Sequence, residues 1–132
     1  MIYCEPCIYP VGLCISKSIE ELRKHYVAED GSELEPRTEE ERKGVTATTY
    51  KMNRRKGHGC AVGIVFWKKP VIDIIAHEAF HAADYIFNEL GVDFVTDGSN
   101  EHWAYLIGWI AGCCGDFVKK EFKECEREIP LL

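Results

Sequence analysis

The sequence predicts an α+β fold: a single domain, residues 1–132, in which a small mixed or antiparallel sheet packs on two long helices. Three observations carry the prediction. The 132 residues, 46% hydrophobic and 29% charged, are enough for one real core and leave no room for a second. β-Branched and apolar runs crowd the first half, whereas helical periodicity dominates from Pro70 onward. No internal repeat breaks that order, so strands precede helices, and the helices are expected on one face of the sheet.

Each element follows from its local pattern. Tyr9–Ile15 reads as a first strand. Ser18–Ala28 reads as an amphipathic helix with Ile19, Leu22, Tyr26 and Val27 on one face, capped by Ser16 or Ser18. Glu29–Gly44 is polar, contains Gly31 and Pro36, and is expected to be a surface loop without chemistry. The β-branched run Thr46–Met52, a turn over Asn53–Gly59 and the apolar run Cys60–Trp67 predict a hairpin. Pro70 then opens a long helix with Val71, Ile74, Ile75, Phe80 and Ile86 on its apolar face, and Gly91 stops it. Beyond a loop, Ser99 or Asn100 caps a final helix to about Cys113, which can continue past its glycines toward Cys125.

Charge and cysteine usage narrow the function classes. A net charge of -6 disfavours a general nucleic-acid or anionic-membrane surface and points to peptide or protein partners. The longest apolar run, Trp103–Val118, is too short for a bilayer and is interrupted by Gly108, Gly112, Gly115 and Asp116. The start lacks the basic and apolar regions of a secretory signal, so a cytoplasmic protein is expected. Seven cysteines, an odd number without an export signal, are expected to be reduced thiols. The basic run Lys51–Lys56 is expected to be a solvated hairpin tip.

The most specific signal is His77-Glu78-Ala79-Phe80-His81, an HExxH motif in the middle of the long helix. Histidines four residues apart are rotated by only about 40° and offset by about 6 Å, so both imidazoles can reach one ion. A carboxylate beside the first histidine can act as general base. Together they point to a zinc-activated water attacking an acyl carbon, with Glu78 taking the proton. Catalytic zinc takes a third protein ligand. Asp84 lies on the same helix, too parallel to the histidines to complete a tetrahedron, and fits better as a partner for a ligand. Glu101, on the next helix in Asn100-Glu101-His102-Trp103-Ala104-Tyr105, is the candidate.

His77, Glu78, His81, Asn100, Glu101 and Ala104 together resemble the gluzincins, the thermolysin-like zinc metallopeptidases in which HExxH is followed on the next helix by a glutamate ligand in an NExxA-type string. The stretch is also similar to small zincin-like proteins of phages and prophages. The resemblance spans roughly residues 60–112 and implies a minimal zincin fold. It implies His77, His81 and Glu101 as zinc ligands and Glu78 as the base that later passes its proton to the leaving amine. It also implies a peptide substrate paired along an edge strand, here expected at Ala61–Phe66. By helical spacing, Glu101 shares a face with Ala104, Tyr105, Gly108 and Gly112, small residues expected to let the two helices approach closely.

Two departures from the family pattern matter. Tyr105 stands where the family has an acidic residue that orients the first histidine, so Asp73 or Asp84 is expected to take that job, with Asn100 beside the ligand. About thirty residues follow Glu101, too few for a second cleft wall, so the oxyanion stabiliser must be local. Tyr105 is the first candidate, then Tyr50 or His58. The expectation is a zinc metallopeptidase of restricted substrate range. The alternative is a zincin-fold binding or regulatory module with little turnover.

Overall fold

The computed structural model describes residues 1–6, 8–36, 44–94, 98 and 100–122. Among these residues five strands and three helices occur in the order β1 (Ile2–Cys4), β2 (Gly12–Ser16), α1 (Ile19–Arg23), β3 (Tyr26–Ala28), β4 (Ala47–Arg54), β5 (Cys60–Phe66), α2 (Ile72–Leu90) and α3 (Glu101–Glu121). The strands form one sheet in the order β1-β2-β5-β4-β3. Only β2 and β5 run parallel, and the other three pairs are antiparallel. The α+β class and the β4–β5 hairpin therefore match the sequence expectation.

The period-2 alternation of the strands sorts the core into two layers. Leu13, Ile15, Val62, Ile64 and Phe66 face α2 and α3, where they meet Ala79, Ala82, Ile86, Phe87, Ile110 and Phe117. Cys14, Met52, Ala61 and Val65 face the other way and pack with Ile19, Leu22, Tyr26 and Leu34. The two long helices do share one face, but α1 and the Leu34 segment cover the other. β5 is consequently apolar on both faces, as its unbroken run of hydrophobic residues requires.

Several expectations are corrected. Helix α1 ends at Arg23, not Ala28, because Tyr26–Ala28 pairs with Met52–Arg54 as strand β3 and buries the Tyr26 ring behind the sheet. Ser18 is its cap, accepting from the Glu20 amide at 3.2 Å. The polar Glu29–Gly44 segment contributes a fully buried Leu34, whose carbonyl accepts from the Arg23 guanidinium at 2.6 Å. Part of that segment, 37–43, lies outside the described residues, as do Ser99 and Cys125.

Ala61–Phe66 is not an edge. β5 is hydrogen-bonded on one side to β2 and on the other to β4, so no peptide can add to it.

Helix α2 starts after Val71 and stops at Gly91, whose left-handed φ of 69° explains the glycine there. Its buried face is Ala79, Ala82, Ala83, Ile86 and Phe87, while Val71 and Phe80 are exposed. Alanines occupy the sheet-facing positions, which lets the helix lie close to the strands. Helix α3 runs unbroken through its glycines and buries Trp103, Leu106, Ile110, Cys114, Phe117 and Val118. The stripe of Gly108 and Gly112 faces outward with Ala104 and Tyr105, and a Cβ at either glycine would meet nothing within 4 Å. Close helix approach therefore does not depend on these glycines; the contact is made by Phe80 and Phe87 of α2 against Trp103, with ring centroids 6.0 and 4.8 Å apart.

Candidate functional site

Helical spacing sets the geometry of the HExxH stretch. With the sheet-facing side of α2 fixed by Ala79, Ala82 and Ile86, His77 and His81 fall on the outer flank, and Glu78, one position on, turns inward. The histidine rings approach edge-on with centroids 4.6 Å apart, and the two Nε2 atoms lie 3.0 Å from each other. Glu78 is only 7% exposed, and its carboxylate accepts a hydrogen bond from the Thr49 hydroxyl of β4. A buried carboxylate is costly to hold without such a donor. Strand β4 supplies it because Thr49 pairs with Ile64 at the middle of the hairpin, directly under this turn of α2.

Around these groups lies a small cleft of about 170 Å³, lined by Ala47, Thr48 and Thr49 from β4 and by His77, Glu78, His81 and Tyr85 from α2. Tyr85 sits one turn after His81 with ring centroids 6.5 Å apart, and Lys51 Nζ lies 5.3 Å over its ring. Thr49 and Tyr85 are site residues that the sequence reasoning missed. Tyr85 was available from spacing, since positions 77, 81 and 85 form one stripe. Thr49 required the β4–α2 contact, which no local pattern reveals.

The remaining predicted residues sit elsewhere. Glu101 is exposed at the first position of α3. Nine residues later Ile110 is fully buried, and at about 100° per residue Glu101 points roughly 180° away from it. Among the described residues no group of three His, Cys, Asp or Glu side chains is gathered for a metal ion, so His77, His81 and Glu101 do not form an assembled triad here. The α3 N-terminus is nevertheless adjacent, because the Phe80–Trp103 stack joins the turn holding His81 to the turn holding Glu101.

Tyr105 is 75% exposed and lines a groove with Tyr9, His102 and Trp109, away from the histidine pair. It is not placed to stabilise an oxyanion there, and Tyr85 is the phenol that lines the cleft, beside the hydroxyls of Thr48 and Thr49. Of the two further candidates, Tyr50 donates to the Glu35 carbonyl at 3.1 Å, and His58 is exposed in the hairpin turn. Asp73 accepts from the backbone N–H of Ile74 at 3.1 Å and is exposed in the first turn of α2, which makes it a helix-terminus charge. Among the described residues no hydrogen bond joins Asp84 to either histidine. Asn100 takes the N-cap position of α3 without a side-chain cap bond.

Beneath the site, burial pushes the Cys114 thiol up to about 12, and the Glu78 carboxylate and the ionised forms of Cys113 and Cys4 push the same way. Burial, followed by a hydrogen bond with Cys4, raises Cys113 to about 12 as well. These thiols are neutral packing groups.

The donor chemistry fits a divalent ion at the histidine pair. Two Zn–N bonds of about 2.0–2.1 Å at a tetrahedral angle place the nitrogens about 3.3 Å apart. The observed 3.0 Å needs only a small rotation of either imidazole.

No protein-family model matches this chain, and no curated protein or solved structure matches it significantly.

Proposed function

We propose that this protein is a zinc-dependent hydrolase of peptide bonds in a restricted peptide or protein substrate, with His77 and His81 as metal ligands and Glu78 as general base. One observation carries the reading: a buried carboxylate, fixed by Thr49, stands beside two imidazoles whose Nε2 atoms converge to 3.0 Å. In the metal-free chain one imidazole N–H can donate to the other across that distance, which holds both nitrogens on one side of the helix where a single ion can replace the shared proton. Glu101 is the proposed third ligand; reaching the ion requires a change of its side chain and of the first turn of α3, whose Trp103 stacks on Phe80, the neighbour of His81.

When bound, zinc supplies Lewis acidity that polarises a substrate carbonyl and makes water acidic enough to deprotonate near neutral pH. The chain's own groups do the rest. Glu78 takes the water proton and delivers it to the leaving nitrogen, a role that needs a carboxylate held in one rotamer. Thr49 holds it there, because its hydroxyl occupies one carboxylate oxygen and leaves the other for the proton. Tyr85, one turn from His81 on the cleft wall, is the local hydroxyl donor for the developing oxyanion. The substrate backbone would lie over the β4 side of the cleft, in place of the β5 position expected from sequence.

The test is elemental analysis combined with peptidase assay on a peptide library. The wild type takes up zinc and cleaves, Glu78→Gln keeps zinc and loses cleavage, and His81→Ala loses both. A second reading is favoured by the small volume of the cleft, about 170 Å³: a zincin-like recognition module with little turnover. It wins if Glu78→Gln leaves the biological effect intact while substitutions on the β4 wall abolish it.

A further inference from the structure

The basic tip of the β4–β5 hairpin is exposed, as expected, but Arg55 ties it to the body of the fold. The Arg55 backbone N–H donates to the His25 carbonyl at 2.8 Å, and its Nε donates to the Arg23 carbonyl at 2.9 Å. Its Nη1 and Nη2 grip the Glu33 carboxylate at 2.7 and 2.5 Å. These bonds clamp the hairpin tip onto the turn between α1 and β3. The clamp frames a recess of about 510 Å³ whose walls come from Tyr3 of β1, Lys24 and His25 of the turn, and Arg54, Arg55 and Lys56 of the tip.

The charges of this recess are unevenly compensated. Arg55 is neutralised by Glu33, and the amino terminus at the recess edge is paired with Glu21 at 2.7 Å. Lys24, Arg54 and Lys56 form no ion pair among the described residues. Three cations without a direct ion pair among the described residues surround one concavity and concentrate a positive field there.

Size and shape narrow the ligand further. A recess of about 510 Å³ lies within the range of about 300–1,000 Å³ typical of small-molecule sites. Tyr3 adds an aromatic surface: the residue is 46% exposed and its ring lies over Gly12, where any Cβ would collide with it. Gly12 thus makes room for a ring on the recess wall.

We infer that this recess is a binding site for a phosphate-bearing ligand of about mononucleotide size, with the phosphate held by Lys24, Arg54 and Lys56 and a planar ring packed on Tyr3. The site shares no lining residue with the histidine cleft and stands independently of the zinc reading.

Calorimetric titration of the full chain with AMP, inorganic phosphate, adenosine and a single-stranded oligonucleotide, in near-physiological salt, tests it. AMP binds saturably, and phosphate competes with it more weakly. Arg54→Glu and Lys56→Glu each weaken AMP about tenfold or more, since each removes a charge-assisted contact. Both side chains are exposed and unpaired, and circular dichroism verifies that the variants stay folded. Tyr3→Leu weakens AMP while leaving phosphate unchanged. The inference is overturned if AMP shows no saturable binding at millimolar concentration, or binds Arg54→Glu as well as wild type. It is overturned equally if only the oligonucleotide binds, which would assign the patch to nucleic acid, or if Tyr3→Leu leaves AMP affinity intact.

Discussion

Removing the Thr49 hydroxyl tests how Glu78 is held. Thr49→Val keeps the β-branched shape that β4 favours and deletes only the donor to a carboxylate that is 7% exposed. Hydrogen bonds to charged groups contribute about 1.5–3 kcal/mol, and the buried carboxylate left behind carries the desolvation cost. The metal-free protein should therefore lose about 1.5–3 kcal/mol. For a chain of this size that corresponds to a fall in Tm of roughly 5–15 °C. Urea unfolding in the presence of a chelator reads the change as a shift in midpoint at constant slope. A double-mutant cycle with Glu78→Leu isolates the pair, because Thr49→Val should cost little once the carboxylate is gone. A coupling energy below about 0.5 kcal/mol would refute the claim that Thr49 fixes the base.

Further outcomes follow from packing and ionisation. Phe87→Ala removes a fully buried ring that touches Trp103 and Tyr9 at centroid distances of 4.8 and 5.3 Å, and should cost about 3–5 kcal/mol in a denaturant titration. Gly63→Ala would place a Cβ 2.9 Å from the Met52 side chain and 3.0 Å from Leu22 Cδ1 in the centre of β5, costing about 1–3 kcal/mol by the same measurement. Cys114 is held at about 12, above the ordinary thiol value of 9.0. Its thiol in the unfolded chain loses its proton first, so its contribution is fully present below pH 9.0 and is lost as pH rises through about 12. Cys114→Ala should flatten the alkaline decline of stability, measured by unfolding at a series of pH values. Cys114 should also resist iodoacetamide in the folded chain at neutral pH and react in urea, read by mass spectrometry.

The parts of the fold that were legible are those whose signal is local. The turn between two β-branched runs marked the β4–β5 hairpin, and Gly91 marked the end of α2 because only a left-handed residue closes that helix. Tyr26–Ala28 misled because its helical spacing from Ile19 and Leu22 is real. The strand wins through pairing with Met52–Arg54, contacts across 24 to 28 residues that periodicity cannot see. Ala61–Phe66 misled for a related reason, since a continuously apolar strand is better buried on both faces than left at an edge.

The site divides along the same line. His77, Glu78 and His81 were legible because one helix fixes their relation at any backbone position. Glu101 was legible as a candidate, but its approach depends on the rotation of α3, which Trp103, Leu106 and Ile110 set by facing the core. The outward glycine stripe shows why small residues alone do not identify a helix contact: on an amphipathic helix, bulky side chains decide which face is buried. Thr49 could be found only once the sheet was placed against α2.

The most direct test of the central claim is zinc stoichiometry in chelator-stripped protein after reloading and desalting, measured by elemental analysis on wild type, Glu78→Gln and His81→Ala. The account predicts about one zinc per chain in the wild type and in Glu78→Gln, and none in His81→Ala. A wild-type chain that takes up no zinc, or a His81→Ala variant that retains it in full, would contradict it.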